Sequence, residues 1–337
     1  MLARLKQFFR LATYTQLLPV MESGDDPLIG GQAVLEGVMM RAPHNYCVAV
    51  RCPDGEIVTQ EGPAKRLSEN SKFWALPIVR GVGAMGQAMS LGMKALNFSA
   101  EHAIEEEEDK KTDEAKPDEK KKSAEIPGWM MALNVAFSIG FFIFLYKFVP
   151  LTLTTLLQQR VSWLDNQVGF SFIDGVIRLA IFLTFLTLIS RMKDIRRVFQ
   201  YHGAEHKVVF NYESGKTVDI PTAQSFVTFH PRCGTSFLMV VMVVSIIFYA
   251  FVPMSGFGWQ FLARLALLPV IAGVSYEVIR FAAKHQGSMM VTLVAPGLWL
   301  QRITTKPPDD SQIDISIKAL EGAMALEEKQ GGELIVA

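Results

Sequence analysis

The sequence predicts a mainly α-helical, multi-pass membrane protein with about four transmembrane helices and a small β-containing cytoplasmic unit at its N-terminal end. Three observations carry that prediction. Four long apolar runs fall between residues 129 and 283, and a dense basic cluster follows the second of them. Near the N-terminus, Cys52-Pro-Asp-Gly55 joins two strand-like stretches, as a tight turn would.

The runs are judged against the bilayer. Its hydrocarbon core is about 30 Å thick, so a helix rising about 1.5 Å per residue crosses it in about 20 residues. Trp129 to Tyr146 carries no charge, and beyond Lys147 the apolar run continues to Leu157, giving a first span over 129–157. The second span is read over 172–190, with Asp174 and Arg178 expected at the membrane interface. Thr235 to Ala263 contains no charged residue but is broken by Ser255-Gly-Phe-Gly258, which divides it into spans over 236–254 and 259–283. In lipid the backbone must satisfy its own hydrogen bonds, so these runs are helices rather than loops.

Loop charges set the orientation. Arg191, Lys193, Arg196 and Arg197 follow the second span closely, whereas the loop before it carries only Arg160 and Asp165. The positive-inside rule therefore places the 191–235 loop and both termini in the cytoplasm. Arg4, Lys6 and Arg10 interrupt the first apolar stretch, so no cleavable signal peptide is read there. Residues 1–27 are read as a basic amphipathic segment, lying on the membrane surface or packing as a helix. Three cysteines, Cys47, Cys52 and Cys233, without CxxC spacing give no disulfide framework. Lysine plus arginine equals aspartate plus glutamate at 33 each, which gives no reason to expect a nucleic-acid partner. The partners expected are the lipid bilayer and other membrane proteins.

Residues 28–62 form the β unit, with Gly30, Gly31 and Gly37 permitting close backbone approach. Residues 74–100 read as a Gly- and Met-rich helix at the interface, its small residues suited to helix packing; a re-entrant or fifth membrane segment is the alternative. The charge run 105–122 lies in a linker expected over 101–126, since it has almost nothing apolar to bury. After Pro307-Pro308, the 304–337 tail is expected to form an amphipathic cytoplasmic helix.

Chemistry concentrates in the 191–235 loop. His202 and His206 are four residues apart, so on a helix both rings share one face and can hold a single metal ion. Glu205 beside them completes an H-x-x-E-H pattern and is the natural general base. His230, Cys233 and Glu277 are the candidates to complete the ligand set, zinc being the metal best suited to mixed His, Cys and carboxylate donors. Glu277 has a second reading, an ion pair with Arg280 one turn away. Gly30 to Arg41 (GGQAVLEGVMMR), Tyr201 to Glu213 (YHGAEHKVVFNYE) and His230 to Phe237 (HPRCGTSF) resemble the YqhQ-like family of bacterial membrane proteins. That resemblance spans roughly residues 29–303, and implies a multi-pass inner-membrane protein with metal-dependent enzyme activity and no assigned substrate. The expected function is thus a metal-dependent hydrolase at the cytoplasmic membrane face. The alternative is a non-enzymatic scaffold or assembly factor whose His/Cys cluster is structural. Transport ranks last, because Asn134, Arg264 and Glu277 are the few polar residues read at mid-membrane.

Overall fold

Successive residues of a strand point to opposite faces, and that alternation organises the N-terminal unit. The computed structural model describes residues 29–64, 72–109, 128–230, 233–253, 256–284 and 291–329. The expected 1–27 amphipathic segment, and residues 110–126 of the expected linker, lie outside them. Strands β1 (Gly30–Val34), β2 (Gly37–Arg41), β3 (Asn45–Arg51) and β4 (Ile57–Pro63) form an antiparallel meander in that order. The glycine-rich stretch is therefore a pair of strands turning at Leu35-Glu36, with Glu36 at a positive φ of 50°. Val38, Met40, Cys47 and Ala49 face one hydrophobic cluster, while Met39, Tyr46, Val48 and Val50 face another. Both faces are covered, so both sets are buried. Burial, with Glu61 nearby, pushes the Cys47 thiol up to about 12, so it packs as a small hydrophobe rather than a nucleophile.

The helices follow in order: α1 (Val79–Asp109), α2 (Gly128–Ile143), a π-helical turn (Phe144–Phe148), α3 (Val149–Gln158), α4 (Gln167–Ile189) and α5 (Lys193–Glu213). Beyond them come α6 (Ile220–Gln224), α7 (Gly234–Tyr249), α8 (Phe257–Ala266), α9 (Leu268–Lys284), α10 (Val291–Thr304) and α11 (Asp310–Lys329). The chain is mostly helical, with one small sheet among the described residues. Ala136–Gln158 and Gln167–Ile189 are each long and apolar enough to cross a membrane. The pair α8 and α9, bent by 45°, makes a third if taken as one span. Helix α7 is apolar but has 16 residues, about 24 Å at the helical rise, which is short of the hydrocarbon core. Phe137, Phe142 and Leu188 are more than half exposed on these helices, an apolar surface of the kind that seeks an apolar partner. Asp174 and Arg178 are buried between helices. The reason is that each finds a polar partner on α4 or on a neighbouring helix.

Helices α5 and α11 cover one face of the sheet and α1 covers the other. The C-terminal tail is thus a core element. Ile313, Ile315, Leu320 and Ala323 of α11 are buried against Val38, Met40 and Ala49. Helix α1 continues to Asp109, into the charged stretch, since Glu and Ala are good helix formers. At its start Gly81 abuts Tyr276 and Gly273 of α9, where a Cβ would come within 2.8 Å of Tyr276 Cβ.

A clasp fixes α11 to the sheet. Glu327 accepts the backbone N–H of His44 at 3.2 Å and the Asn45 amide at 3.0 Å, with the His44 ring at 2.5 Å. Burial raises the Glu327 carboxyl, but the hydrogen bonds from His44 and Asn45 outweigh it and hold the group below its usual range. A depressed carboxylate contributes stability above the unfolded pKa, near 4.3, and loses it as pH falls through the lower folded value. Glu327→Gln should therefore cost about 1–2 kcal/mol at neutral pH. That difference, read by urea unfolding of both proteins, should shrink as pH drops below about 4.

Candidate metal centre

Helix α5 carries the motif, and its 3.6-residue period sets His202 and His206 on one face, their ring centroids 4.5 Å apart. Each ring is held from behind by a backbone carbonyl. His202 Nδ1 donates to Thr304 O at 2.9 Å, and His206 Nδ1 donates to Thr228 O at 2.5 Å. A carbonyl can only accept, so in the neutral ring the proton sits on Nδ1 and the Nε2 lone pair points forward. This is how metal-binding histidines are oriented: the second ring nitrogen is tied to an acceptor.

Forward of both rings stands Cys233, the N-cap residue of α7. Its sulfur lies 3.2 Å from His202 Nε2 and 3.3 Å from the Thr235 hydroxyl, facing the partial positive charge of the helix end. One donor atom each from His202, His206 and Cys233 falls within 4.8 Å of the other two. Donors of a tetrahedral zinc site sit about 3.5 Å apart, given bonds of about 2.0–2.3 Å. His206 Nε2 is buried and makes no hydrogen bond of good geometry, with the Cys233 sulfur facing it and Glu205 Oε2 3.5 Å off. An orphaned buried acceptor is costly, and here it faces the other two donors. The donor set and the orphan both fit a metal ion.

The remaining expected residues sit elsewhere. His230 turns its Nε2 to Glu213 at 3.3 Å, and its backbone is clamped on both sides by the Gln301 amide at 2.7 Å. Its ring centroid is 5.6 Å from that of His206, and it does not join the trio. Glu277 is gripped by Arg80 through two hydrogen bonds, one of 2.6 Å, which ties α9 to α1. The pairing considered from sequence, with Arg280, is not the one that forms its hydrogen bonds. Glu205 does stay at the site, its Oε2 3.5 Å from His206 Nε2. Burial raises its carboxyl above the usual range, while the His202 and His230 rings and the Gly31 N–H pull it down. Burial lowers His206, although Cys233 opposes the shift, and lowers His230 to about 4. Both rings are therefore neutral at pH 7, and neutral imidazole is the form that binds metal.

Two glycines make this packing possible. A Cβ on Gly31 of β1 would lie 2.5 Å from Glu205 Cγ, and one on Gly203 would strike the Lys306 carbonyl. The second contact lets the segment after α10 cross α5 closely enough for Thr304 to reach His202. The profile of the family described as "Protein of unknown function (DUF1385)" matches residues 76–326. "Uncharacterized protein YqhQ" of Bacillus subtilis (strain 168) is 34% identical over 304 residues, covering 89% of this chain and 93% of that protein. The chain belongs to this YqhQ-like family. No solved structure matches it.

Sequence reasoning about this family member missed Thr228, Gln301 and Thr304. Two of them act through backbone carbonyls, which leave no mark on residue type. Gln301 lies 71 positions from the residue it clamps. Gly31 carried a signal, a glycine in a strand-forming stretch, which points to close approach.

Proposed function

We propose that this protein is a metal-dependent hydrolase of the bacterial inner membrane, with its site at the cytoplasmic face. The observation that carries the reading is the orphaned His206 Nε2, aimed with His202 Nε2 and the Cys233 sulfur at one point. Three donors with half-buried His202 and Cys233 suit a catalytic site, which keeps one position open, better than a closed four-ligand one. Zinc, when bound, supplies Lewis-acid polarisation and an activated water. Glu205 takes a proton from the attacking water at Oε2 and returns it to the leaving group. The carbonyls of Thr304 and Thr228 keep the two rings aimed throughout.

Four spans are proposed: α2 with α3, α4, α7, and α8 with α9. Lipid thinning or the residues flanking α7 would make up its length. The basic cluster at 191–197 then holds the cytoplasmic side, and with it α5, the sheet and α11. A scaffold role has its own support, since the same cluster ties α5, α7 and α10 together; a structural metal would serve that equally.

Metal analysis of the purified full-length protein tests the centre. Wild type should carry about one equivalent of zinc, and His202→Ala should lose it, because the ring supplies one of the three donors found among the described residues. A freshly purified, folded wild type without metal would remove the proposal.

A further inference from the structure

The membrane helices hold a second polar cluster, none of whose members belongs to the His/Cys group. Asp174 of α4 accepts from Arg178 of the same helix and, at 2.6 Å, from Arg264 of α8. Arg178 also donates to the Ser245 hydroxyl of α7 at 2.6 Å. Lys147, in the π-helical turn, donates to the Tyr249 hydroxyl at 2.7 Å. The Tyr249 ring is the hub: Lys147, Arg178 and Arg264 lie 5.0, 4.9 and 5.0 Å from its centroid. All of these side chains except Lys147 are at least nine-tenths buried.

The charges do not balance. Asp174, paired with Arg178 and Arg264, is the one carboxylate bonded to any of these three cations among the described residues, which leaves two positive charges. The C-terminal ends of α7 and α8, at Tyr249 and Ala266, offset about half a charge each. About one positive charge remains in a place where an unpaired charge is costly. The hydrogen-bonding capacity is also unfilled: Arg178 Nε, Arg264 Nε and one terminal nitrogen of Arg264 are buried without partners. Asp174 and Arg178 lie 7 and 11 residues into α4, about 10 and 16 Å from its end, so this is not surface charge. The π-turn that presents Lys147 is a rare element often found at functional sites.

We propose that Lys147, Arg178 and Arg264 bind a singly charged phosphate group. Planar guanidinium forks and an ammonium are the donors that recognise phosphate, and one negative charge closes the balance. An apolar groove of about 250 Å³, lined by Phe137, Phe141, Phe142, Leu145, Tyr146 and Phe185, borders the residue next to Lys147. It gives a phosphodiester lipid a place for an acyl chain, which favours a lipid headgroup over free phosphate as the source. That preference rests on the membrane placement of these helices.

The test uses the full-length protein in nanodiscs containing equal phosphatidylglycerol and phosphatidylcholine, followed by native mass spectrometry. Wild type should retain phosphatidylglycerol over phosphatidylcholine. Lys147→Met, which removes no partner of Asp174, should weaken that retention about tenfold, and Lys147→Arg should restore it. Titration with inorganic phosphate forms the second arm. Phosphate binding that Lys147→Met abolishes, without lipid preference, supports the same site with a soluble source. Equal retention of both lipids by wild type, with no phosphate binding, overturns the proposal without need of any variant. Release of the protein from membranes by alkaline carbonate would remove the membrane placement and the lipid source alone; the phosphate titration would still decide the anion site.

Discussion

Glu205→Gln is expected to keep the metal and lose the function. The substitution preserves shape and still accepts the Gly31 N–H, but its amide cannot take a proton from water. A positioned acid–base group contributes about 10²- to 10⁴-fold to a rate, so complementation of a strain lacking the gene should fail. Stability should move the other way. Glu205 is buried with burial working against its charge, so a neutral isostere should unfold at equal or higher denaturant, by about 1–2 kcal/mol. Gain of stability with loss of function marks a group retained for chemistry. If Glu205→Gln complements fully while His202→Ala does not, the metal is structural and the scaffold reading takes over.

How much of this was legible depends on what kind of contact each residue makes. His202 and His206 were readable because helical spacing alone puts them on one face. Cys233 was one of three candidates, and only the fold separates it from His230 and Glu277. The difference lies in partners distant in sequence: Glu213 and Gln301 hold His230, and Arg80, 197 positions away, holds Glu277. Asp174, Arg178, Lys147 and Arg264 were visible as isolated charges in or beside apolar runs. Taken singly, Asp174 and Arg178 read as interfacial and Arg264 as mid-membrane, and only the packing of α4, α7 and α8 around Tyr249 makes them one network with Lys147. The amphipathic tail was legible as a helix, but nothing local shows that its apolar stripe completes the core against β2 and β3. Two of the four expected spans, and a third if α8 and α9 count as one, are helices long and apolar enough to cross a membrane, as hydropathy predicts; the short α7 and the bend between α8 and α9 depend on where the helices break.

Gly31 offers a way to move Glu205 without touching it. A Cβ at Gly31 would meet Glu205 Cγ at 2.5 Å, Glu205 Oε1 at 2.9 Å and the Met39 carbonyl at 2.9 Å. The last is backbone of the paired strand and yields little, so the Glu205 side chain must give way. Gly31→Ala should therefore destabilise by about 1–3 kcal/mol, as overpacking of a filled interior does. It should also reproduce the functional loss of Glu205→Gln with metal content unchanged, because none of the three donors is touched. Gly30→Ala is the control: nothing lies within 4 Å of a Cβ there, so its effect should stay within about 0.5 kcal/mol. The double variant Gly31→Ala with Glu205→Ala separates the two consequences. Removing the carboxyl relieves the clash, so stability should recover most of the loss, a non-additive result expected of residues in contact. Function should not recover, since the proton acceptor is gone. If Gly31→Ala instead lost its metal, the strand would be supporting the ligands themselves, and Glu205 would be part of the metal's own shell rather than a base beside it.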